Sequence, residues 1–385
     1  MPTTPMKNLI YRAALPFLAP SVRGQLTHAC RGQVLKHLKD YERLLVHHHV
    51  CGASLLLWDG ERMAQVHTSC REPNHPAGED TIYRVASITK MATALVTLML
   101  CEEGCFTLDS PVAQLLPEGD VPALKGVTVR HLLCHTSGLR DVPALDRALR
   151  EGETFHAVLG SEGVRGSEPG EVMAYSNLGF GLLGCVLEQA SGKSIEALFQ
   201  EKLFRPLGMR ATMDGSTLDE GIIMPISRVL PYRKGHDVKV TRLGRIPIDK
   251  PDPMRHFGHT AGAMYTDCAS LQRLLTLIHQ KGVIDGKRLL SEASVLAMTT
   301  RHASTSTRVY GLGLVLLERE WIKGRMLGHQ GFAYGCVDGA FVEEDTGRMV
   351  IFLNGGASEA RNGRLGLVNQ DVLRWALTKE MPSWK

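Results

Sequence analysis

The chain lacks several features that would place it in a specialised class of proteins. Its 385 residues contain no internal repeat, no low-complexity segment and no run of about 20 apolar residues, the length that a transmembrane helix needs. Lysine and arginine exceed aspartate and glutamate by only four, a formal charge of +4. So small an excess over this length gives no reason to expect nucleic acid or an anionic membrane as a partner.

Cysteine occurs nine times but never as a CxxC pair, so neither a zinc ribbon nor a redox dithiol is indicated. Free thiols in this number suit a reducing compartment. After Lys7 and Arg12 the apolar segment is only about eight residues long and is interrupted by prolines, unlike a secretory signal peptide. We therefore expect a cytoplasmic protein with no membrane span.

The rest of the composition is that of an ordinary globular protein, with 44% hydrophobic and 22% charged residues. The residue patterns predict helices over 26–49 and 87–103, a β-hairpin over 51–67, and a final helix over 364–378. Between them, residues 105–290 carry short helical patterns, interrupted by a long segment without a clear period at 221–257 that is predicted to be a loop. Strand patterns return at 310–317, 325–329, 335–343 and 348–354.

Strands at both ends with helices between them predict an α/β fold, an antiparallel sheet assembled from the two ends of the chain and flanked by helices. The expected divisions are 1–108 and 291–385 for the two parts of the α/β domain, and 109–290 for an inserted, mainly helical domain. An active site would then lie at the seam between the two domains.

The first candidate for chemistry is Ser87-Ile88-Thr89-Lys90, which opens a predicted helix. Residues three apart share a helix face, so the Ser87 hydroxyl and the Lys90 amine can meet. Serine becomes a good nucleophile only when a neighbour accepts its proton, and lysine can do so only if its pKa is lowered. The Ser87 N–H at a helix N-terminus can also face a developing oxyanion. Alone, the motif is more commonly an N-cap serine beside a solvated lysine.

The second candidate is Tyr175-Ser176-Asn177. A phenol near a lysine ammonium can be held as phenolate and serve as a general base or a proton shuttle. The Asn177 amide can orient both a lysine and a substrate carbonyl. By itself, the segment is equally a turn in which Ser176 or Asn177 caps the helix that starts near Leu178.

The third candidate is His329-Gln330-Gly331-Phe332, on a predicted strand. Glycine in a strand lets a ligand approach closely, and the N–H of Phe332 can then point into a pocket. The alternative is a strand-end histidine before an ordinary turn.

Together the three segments read SxxK, then YxN 88 residues later, then HxG near the end. This set resembles the serine β-lactamase and penicillin-binding-protein superfamily, in its branch of class C β-lactamases, D-alanyl-D-alanine carboxypeptidases and esterases. The segment HLLCHTSGL at 131–139 is similar to that branch's usual HLLTHTSGL, with Cys134 in place of threonine. The likeness covers roughly residues 45–380, and further matches follow in order at 177–184, 206–209, 261–267 and 310–313.

The resemblance implies an α/β sandwich with an all-helical second domain and the site between them. It makes Ser87 the nucleophile and Lys90 its activator. Tyr175 would relay protons to the leaving group and later help to activate water. The reaction would pass through an acyl-enzyme on Ser87, with no cofactor and no metal.

The same resemblance assigns substrate binding and the oxyanion hole. Asn177 would orient Lys90 and the substrate, while His329 and Gly331 would line the third edge of the site. The N–H groups of Ser87 and Phe332 would form the oxyanion hole.

The third motif departs from the pattern of class C β-lactamases. HQG stands where those enzymes carry KTG, whose lysine and threonine engage a substrate carboxylate. His329 is largely neutral near pH 7, while Gln330 and Phe332 are bulky for their positions. Efficient β-lactam hydrolysis is therefore not expected.

Other residues are weaker candidates. Three consecutive histidines, 47–49, cannot all face one metal on regular structure. His256 and His259 either line the cleft or lie in a surface loop, and Arg361 and Arg364 either meet a substrate carboxylate or are solvated.

The sequence thus predicts a serine hydrolase that cleaves an ester or amide of a small or peptide-like acyl group, with no nucleic-acid partner. Two alternatives stay open. One is an acyltransferase that uses the same acyl-enzyme, and the other is a non-catalytic binding protein that kept the fold. Neither the substrate nor the oligomeric state follows from the sequence.

Overall fold

The computed structural model of the chain describes residues 5–233, 246–363 and 365–384, with side chains from residue 8 onward. At its centre lies one nine-stranded sheet in which every neighbouring pair is antiparallel. The strands of the described chain are β1 Leu26–Gly32, β2 Ala53–Trp58, β3 Met63–Cys70, β4 Tyr83–Arg84, β5 Ala211–Thr212, β6 Arg228–Val229, β7 Tyr232–Arg233, β8 Tyr265–Thr266, β9 Val283–Ile284, β10 Lys287–Arg288, β11 Ala303–Thr305, β12 Arg308–Tyr310, β13 Val315–Leu317, β14 Met326–Ala333, β15 Cys336–Glu343, β16 Met349–Asn354, β17 Arg361–Asn362 and β18 Leu365–Gly366.

The α-helices flank the sheet or fill the segment between its two groups of strands. They are α1 Pro5–Leu18, α2 Leu38–His47, α3 Thr89–Glu102, α4 Val112–Leu115, α5 Val129–Leu133, α6 Pro143–Glu151, α7 Phe155–Leu159, α8 Asn177–Ser191, α9 Ile195–Phe199, α10 Cys268–His279, α11 Glu292–Thr299 and α12 Leu367–Trp375. None of the helices in the described part of the chain has both the length and the apolar character needed to cross a bilayer.

The large sheet joins the two ends of the chain. Its strand order is β1-β3-β2-β16-β15-β14-β13-β12-β11, so that β2 from the N-terminal part pairs with β16 from the C-terminal part. Successive side chains of a strand point to opposite faces, and both faces of β2 are buried. Leu55 and Leu57 pack in the cluster of α2 and α12, whereas Leu56 packs in the cluster of α3, α8 and α10. The predicted α/β class and the sheet built from both ends are confirmed.

Helix α3 runs through the core, with every residue from Thr89 to Leu100 buried. A helix that is apolar on all sides is stable only when surrounded by protein. Lys90 lies in its first turn and is therefore carried into the core with it. This placement decides the chemistry described below.

Two element predictions are wrong in part. The helix predicted over 26–49 covers only α2, because residues 26–32 instead form β1 on the edge of the sheet against β3. The strand predicted over 310–317 is two strands, β12 and β13, joined by a turn. Gly313 in this turn has φ of 70°, and a Cβ there would lie 2.7 Å from the carbonyl oxygen of Lys90.

The division of the chain at residues 108 and 290 stays a prediction. Part of the long loop expected at 221–257 lies outside the described residues, since 234–245 are not among them.

Candidate active site

Ser87 lies in a single 3₁₀ turn, Ala86–Ile88, that connects the short strand β4 to the buried helix α3. Ala86 has φ of 46°, in the left-handed region that non-glycine residues rarely adopt. Such backbone strain persists only where the surroundings impose it, and it concentrates at functional sites. The turn exposes the Ser87 side chain to a cavity while its backbone is packed against β14.

Lys90 follows Ser87 by one helical turn, and its side chain is fully buried. Its Nζ lies 3.2 Å from Ser87 Oγ, 2.9 Å from Asn177 Oδ1 and 2.6 Å from the carbonyl oxygen of Ala261. The pKa of the Lys90 amine is lowered to about 7, chiefly by burial; the Asp141 carboxylate opposes this shift and the Arg308 cation adds to it.

The partners of Lys90 favour one arrangement of its hydrogens. A neutral amine has two N–H groups and one lone pair. The oxygens of Asn177 and Ala261 can only accept, so they take the two N–H groups. The lone pair is then left for the hydroxyl hydrogen of Ser87, which is the geometry that general-base activation needs.

Tyr175 approaches the nucleophile from the other side, and its hydroxyl donates to Ser87 Oγ at 2.8 Å. Burial raises the pKa of the Tyr175 phenol to about 12, although the hydrogen bond to Ser87 and the Arg308 cation both act to lower it. A phenolate is therefore disfavoured near pH 7, because a phenol with this pKa keeps its proton.

Asn177 is the first residue of α8, directly after Ser176, whose hydroxyl accepts from the N–H of Gly179 and caps the helix. The Asn177 side chain donates from Nδ2 to Asp141 Oδ2 at 2.8 Å. This contact turns Oδ1 towards Lys90. The capping and the orienting interpretations of the motif are thus both observed, on adjacent residues.

Asp141 was not singled out by the sequence, yet it organises this side of the site. Its carboxylate accepts from the N–H groups of Asn177 and Leu178 at 2.8 and 2.9 Å as well as from the Asn177 side chain. Anionic side chains are favoured at helix N-termini. Its position two residues after the HTSGL segment was the available clue.

His329 and Gly331 lie on β14, where the strand passes the nucleophile turn. A Cβ at Gly331 would lie 2.3 Å from the carbonyl oxygen of Val85 and 3.2 Å from the side chain of Ala86. Only glycine therefore lets the strand and the turn of Ser87 come this close.

His329 is buried, and its Nδ1 lies 2.7 Å from the carbonyl oxygen of Gln330. Because a carbonyl can only accept, Nδ1 carries the hydrogen and Nε2 has the lone pair. Burial lowers the pKa of His329 to about 3, with the charge of Lys90 acting in the same direction. Within the described residues, His329 Nε2 has no hydrogen-bond partner.

The register of β14 orients the N–H of Phe332. A two-residue turn makes Ala333 and Cys336 the closing pair of the hairpin, and Phe332 is opposite Val337. In an antiparallel pair, hydrogen-bonded and non-hydrogen-bonded positions alternate. The Phe332 N–H therefore points away from β15, to the edge beside the turn of Ser87.

These side chains meet at a cavity of about 1040 Å³. Arg308, from β12, also lines it, with its guanidinium carbon 5.5 Å from the centre of the Tyr175 ring and Nη1 donating to the hydroxyl of Tyr310 at 2.5 Å. Arg361 lines the cavity too and lies 4.0 Å from the centre of the Phe332 ring. No motif marked Arg308, so the sequence did not single it out.

Of the weaker candidates within the described residues, Arg361 lines the cavity and the histidines do not. His48 Nε2 bonds Asp371 at 2.8 Å, whereas His49 Nδ1 donates to the carbonyl oxygen of Pro20 at 3.0 Å, so these histidines point to different neighbours. His256 and His259 are buried and do not line the cavity. Their placement in the cleft or in a surface loop is thus wrong in both forms.

His256 has a structural partner instead. Its Nδ1 lies 2.8 Å from the buried carboxylate of Glu188, on α8, and its Nε2 lies 2.9 Å from the carbonyl oxygen of Pro247. Arg364 lies outside the described residues. In the described part of the chain, no group of three or more metal-ligating side chains is placed to hold an ion. The expectation that no metal or cofactor is needed stays a prediction.

Curated relatives of the chain are penicillin-binding proteins, peptidases and esterases. Penicillin-binding protein 4 of Amycolatopsis lactamdurans is 26% identical over 83% of this chain and 84% of its own length. The carboxypeptidase/endopeptidase AmpH of Escherichia coli is 34% identical over 42% of this chain and 44% of AmpH. Esterase EstB of Burkholderia gladioli is 32% identical over 51% of each chain.

Solved structures share the fold. The D-amino acid amidase of Ochrobactrum anthropi superposes with a TM-score of 0.70 at 22% identity, covering 90% of this chain and 96% of the amidase. A D-stereospecific amidohydrolase of Streptomyces has a TM-score of 0.68 at 24% identity, covering 89% and 99%. The family model described as Beta-lactamase matches residues 36–370. The chain therefore belongs to the Beta-lactamase family and is a serine hydrolase.

Proposed function

We propose that the protein cleaves an ester or amide through an acyl-enzyme formed on Ser87. One observation carries the proposal: Ser87 Oγ lies 3.2 Å from the amine of a buried lysine and 2.8 Å from the hydroxyl of a partly buried tyrosine. A serine so placed has both a proton acceptor and a proton donor within reach.

In the acylation step, the neutral amine of Lys90 accepts the hydroxyl proton while Ser87 Oγ attacks the substrate carbonyl carbon. The oxyanion that forms is stabilised by the N–H groups of Ser87 and Phe332. As the bond to the leaving group breaks, the Tyr175 phenol donates its proton to that group. The proton on the Lys90 ammonium then passes to Tyr175, directly or through a water molecule.

In the deacylation step, a water molecule takes the position of the departed leaving group. Lys90 accepts its proton, relayed through the Tyr175 hydroxyl, as the water oxygen attacks the acyl carbon. The bond between Ser87 Oγ and the acyl group then breaks, and the Lys90 ammonium returns the proton to Ser87 Oγ. The two steps together consume one water and leave the enzyme unchanged.

The state of His329 bears on the substrate. A neutral imidazole whose free nitrogen is an acceptor attracts an N–H or O–H of the substrate rather than a carboxylate. This supports D-amino-acid amides or short peptide-like esters as substrates and only weak activity on β-lactams. An esterase and a D-amino acid amidase are among the similar proteins.

The test is the variant Ser87→Ala, assayed on activated esters, D-amino-acid amides and β-lactams with mass spectrometry of the protein. We expect an acyl adduct on the Ser87 peptide of the native chain, and a loss of turnover by roughly a thousandfold in the variant. Ser304→Ala, at an exposed serine, is the matched control. Full ester turnover by Ser87→Ala, or no labelling of the native chain by a fluorophosphonate or penicillin, would favour a non-catalytic binding protein.

Acyl transfer to an amine or alcohol is the second candidate. The size of the cavity supports it, because about 1040 Å³ has room for an acceptor beside the acyl group. One relative is the acyltransferase calJ of Penicillium decumbens, 33% identical over 35% of this chain and 38% of that protein. Adding a series of alcohols and amines to the ester assay separates the two, since a transferase forms the transfer product at the expense of the free acid.

We also propose a cytoplasmic location. All nine cysteines are free, which suits a reducing compartment. Cell fractionation with an antibody to the native chain tests this location, and recovery from an exported fraction would contradict it.

A further inference from the structure

The small formal charge of the chain conceals an uneven distribution. The first 39 residues contain six lysines and arginines and no aspartate or glutamate, so the remaining 346 residues have a net charge of −2. We call residues 1–39 the acid-free segment. It includes α1, β1 and the beginning of α2.

One face of α1 is packed against the protein. Leu15 is buried, and the N–H of Glu359 donates to the Tyr11 hydroxyl at 3.0 Å. The Asn8 side chain donates to the carbonyl oxygen of Arg361 at 2.8 Å and accepts from its N–H at 3.2 Å. These contacts attach α1 beside a segment that also lines the active-site cavity.

The part of α1 that faces away from this contact carries exposed apolar side chains at Leu9, Ile10 and Phe17, and Leu18 at the end of the helix is exposed as well. Leu9 is 67% exposed, Ile10 63%, Phe17 85% and Leu18 66%. With Val34, these make up five of the eight large hydrophobic side chains exposed in the described part of the chain. Exposed apolar side chains concentrated on one helix are typical of a surface that binds a membrane or another protein.

We propose that α1, together with the acid-free segment, binds the surface of an anionic lipid membrane without crossing it. A docked helix with exposed apolar side chains, in a segment that contains cations and no anion, has the composition of an interfacial helix. Arg12 on α1 and Arg23 just after it are both exposed, in reach of lipid phosphates and carboxylates. Glu359, the carboxylate nearest to Tyr11, faces Arg228 at 4.0 Å.

The charge of the acid-free segment favours an anionic lipid membrane over a protein surface as the binding partner. A partner protein or a second copy of the chain would explain the apolar face but not the absence of every acidic residue from the first 39 positions. The cytoplasmic leaflet carries a negative surface potential that attracts clusters of lysine and arginine.

The experiment is co-sedimentation of the full-length protein with vesicles of phosphatidylcholine, either alone or with about 30 mol% of the anionic lipid phosphatidylserine. We expect binding to the anionic vesicles, at least tenfold weaker binding to the neutral ones, and release by high salt because surface charges are then screened.

Two variants separate the apolar and the charged contributions. Phe17→Ser with Leu18→Ser, and separately Arg12→Glu with Arg23→Glu, should each reduce the partition coefficient at least tenfold. Leu296→Ser, at an exposed leucine on α11, and Lys287→Glu with Lys323→Glu, at exposed lysines elsewhere, should leave it unchanged. All changed side chains are on the surface, so we expect each variant to fold. The melting temperature and ester turnover in solution check this for each variant.

Equal or absent binding to the two vesicle types would overturn the proposal, as would binding that survives both α1 variants. A dimer in sedimentation velocity that Phe17→Ser with Leu18→Ser dissociates, without vesicle binding by the native chain, would assign the face to a second copy instead.

Discussion

At the scale of single residues, the site depends on how the burial of Lys90 is balanced by its neighbours. An amine with a pKa of about 7 is neutral in a large fraction of molecules near neutral pH. Asn177 and Ala261 provide only acceptors for it. The amine can thus be desolvated enough to act as a base and still be held in one orientation. Arg308 and Asp141 face the amine with opposite charges and adjust its pKa.

The charge of Arg308 should be visible in the pH dependence of turnover. Lys90 must be neutral to accept a proton, so kcat/KM for an uncharged ester should fall as the pH drops through about 7. Arg308→Gln removes a cation that lowers the pKa of Lys90, so the acidic limb of the profile should move to higher pH. Arg308→Lys keeps the charge and should leave the limb near its native position.

The other titratable groups do not confuse this measurement. The pKa of His329 is about 3 and that of Tyr175 is about 12. Both values lie about two units or more outside the range from about pH 5 to about pH 9, so neither group changes its charge within that range. A limb that stays in place in Arg308→Gln would show that Arg308 does not act on Lys90.

At the scale of elements, three backbone segments bring the site together. The turn before α3 carries Ser87, the N-terminus of α8 carries Asn177, and β14 carries His329. Two further residues hold these segments in their relative positions. Asp141 holds the start of α8, and Gly331 lets β14 lie against the nucleophile turn.

Replacing Gly331 by alanine should separate β14 from the turn of Ser87. A Cβ 2.3 Å from the carbonyl oxygen of Val85 has no room, so one of the two backbones must move. We expect a loss of stability of about 1–3 kcal/mol in denaturant unfolding and a fall in kcat. Gly78→Ala, where a Cβ meets nothing within 4 Å, is the control. Native turnover in Gly331→Ala would contradict this account of the close approach.

Replacing Asp141 by alanine should release the Asn177 side chain and two N–H groups of α8. We expect kcat to fall at least tenfold with a loss of stability of about 1 kcal/mol, as for other helix caps. Asp141→Asn retains an acceptor oxygen and should recover most of kcat. Asp141→Asn also lacks the anion that raises the pKa of Lys90. The acidic limb of the kcat/KM profile of this variant should therefore move to lower pH, in the opposite direction to that of Arg308→Gln.

At the scale of the whole molecule, the sheet and the buried helices form a frame for the site. Strands from both ends of the chain pair in its middle, and α8 is tied to the loop before residue 257 by the buried pair of Glu188 and His256. This pair serves the frame rather than the chemistry, because neither residue lines the cavity.

Replacing His256 by alanine should therefore affect stability and not substrate binding. Removing the imidazole takes away one hydrogen-bond partner of the buried Glu188 carboxylate, which keeps the N–H groups of Ile195 and Asp252. We expect a cost of about 1–3 kcal/mol, measured by denaturant unfolding. Lys281→Ala, which breaks an exposed pair with Glu292, should cost less than about 1 kcal/mol. A raised KM in folded His256→Ala would return this histidine to the substrate cleft.

The sequence predicted strands and helices wherever their signals were local. The hairpin of β2 and β3 and helices α3, α8, α10 and α12 follow from apolar period, caps and turns. The pattern of residues 26–32 predicts a helix, whereas the structure has the edge strand β1 there. Most of its residues are exposed, and they therefore lack a clear apolar alternation that would indicate a strand. It exists through pairing with β3, which a local pattern does not contain.

The sequence by itself determined which functional groups the site contains: a serine, a lysine, a tyrosine and an asparagine in an order and spacing typical of one family. Tertiary structure alone decided their state. Burial of α3 makes the amine a base, the partly buried phenol of Tyr175 keeps the proton that the sequence allowed it to lose, and Asp141 and Arg308 shift both pKa values from positions far apart in the chain. Protonation depends on the solvation and charge around a group, and these arise only when distant segments pack together.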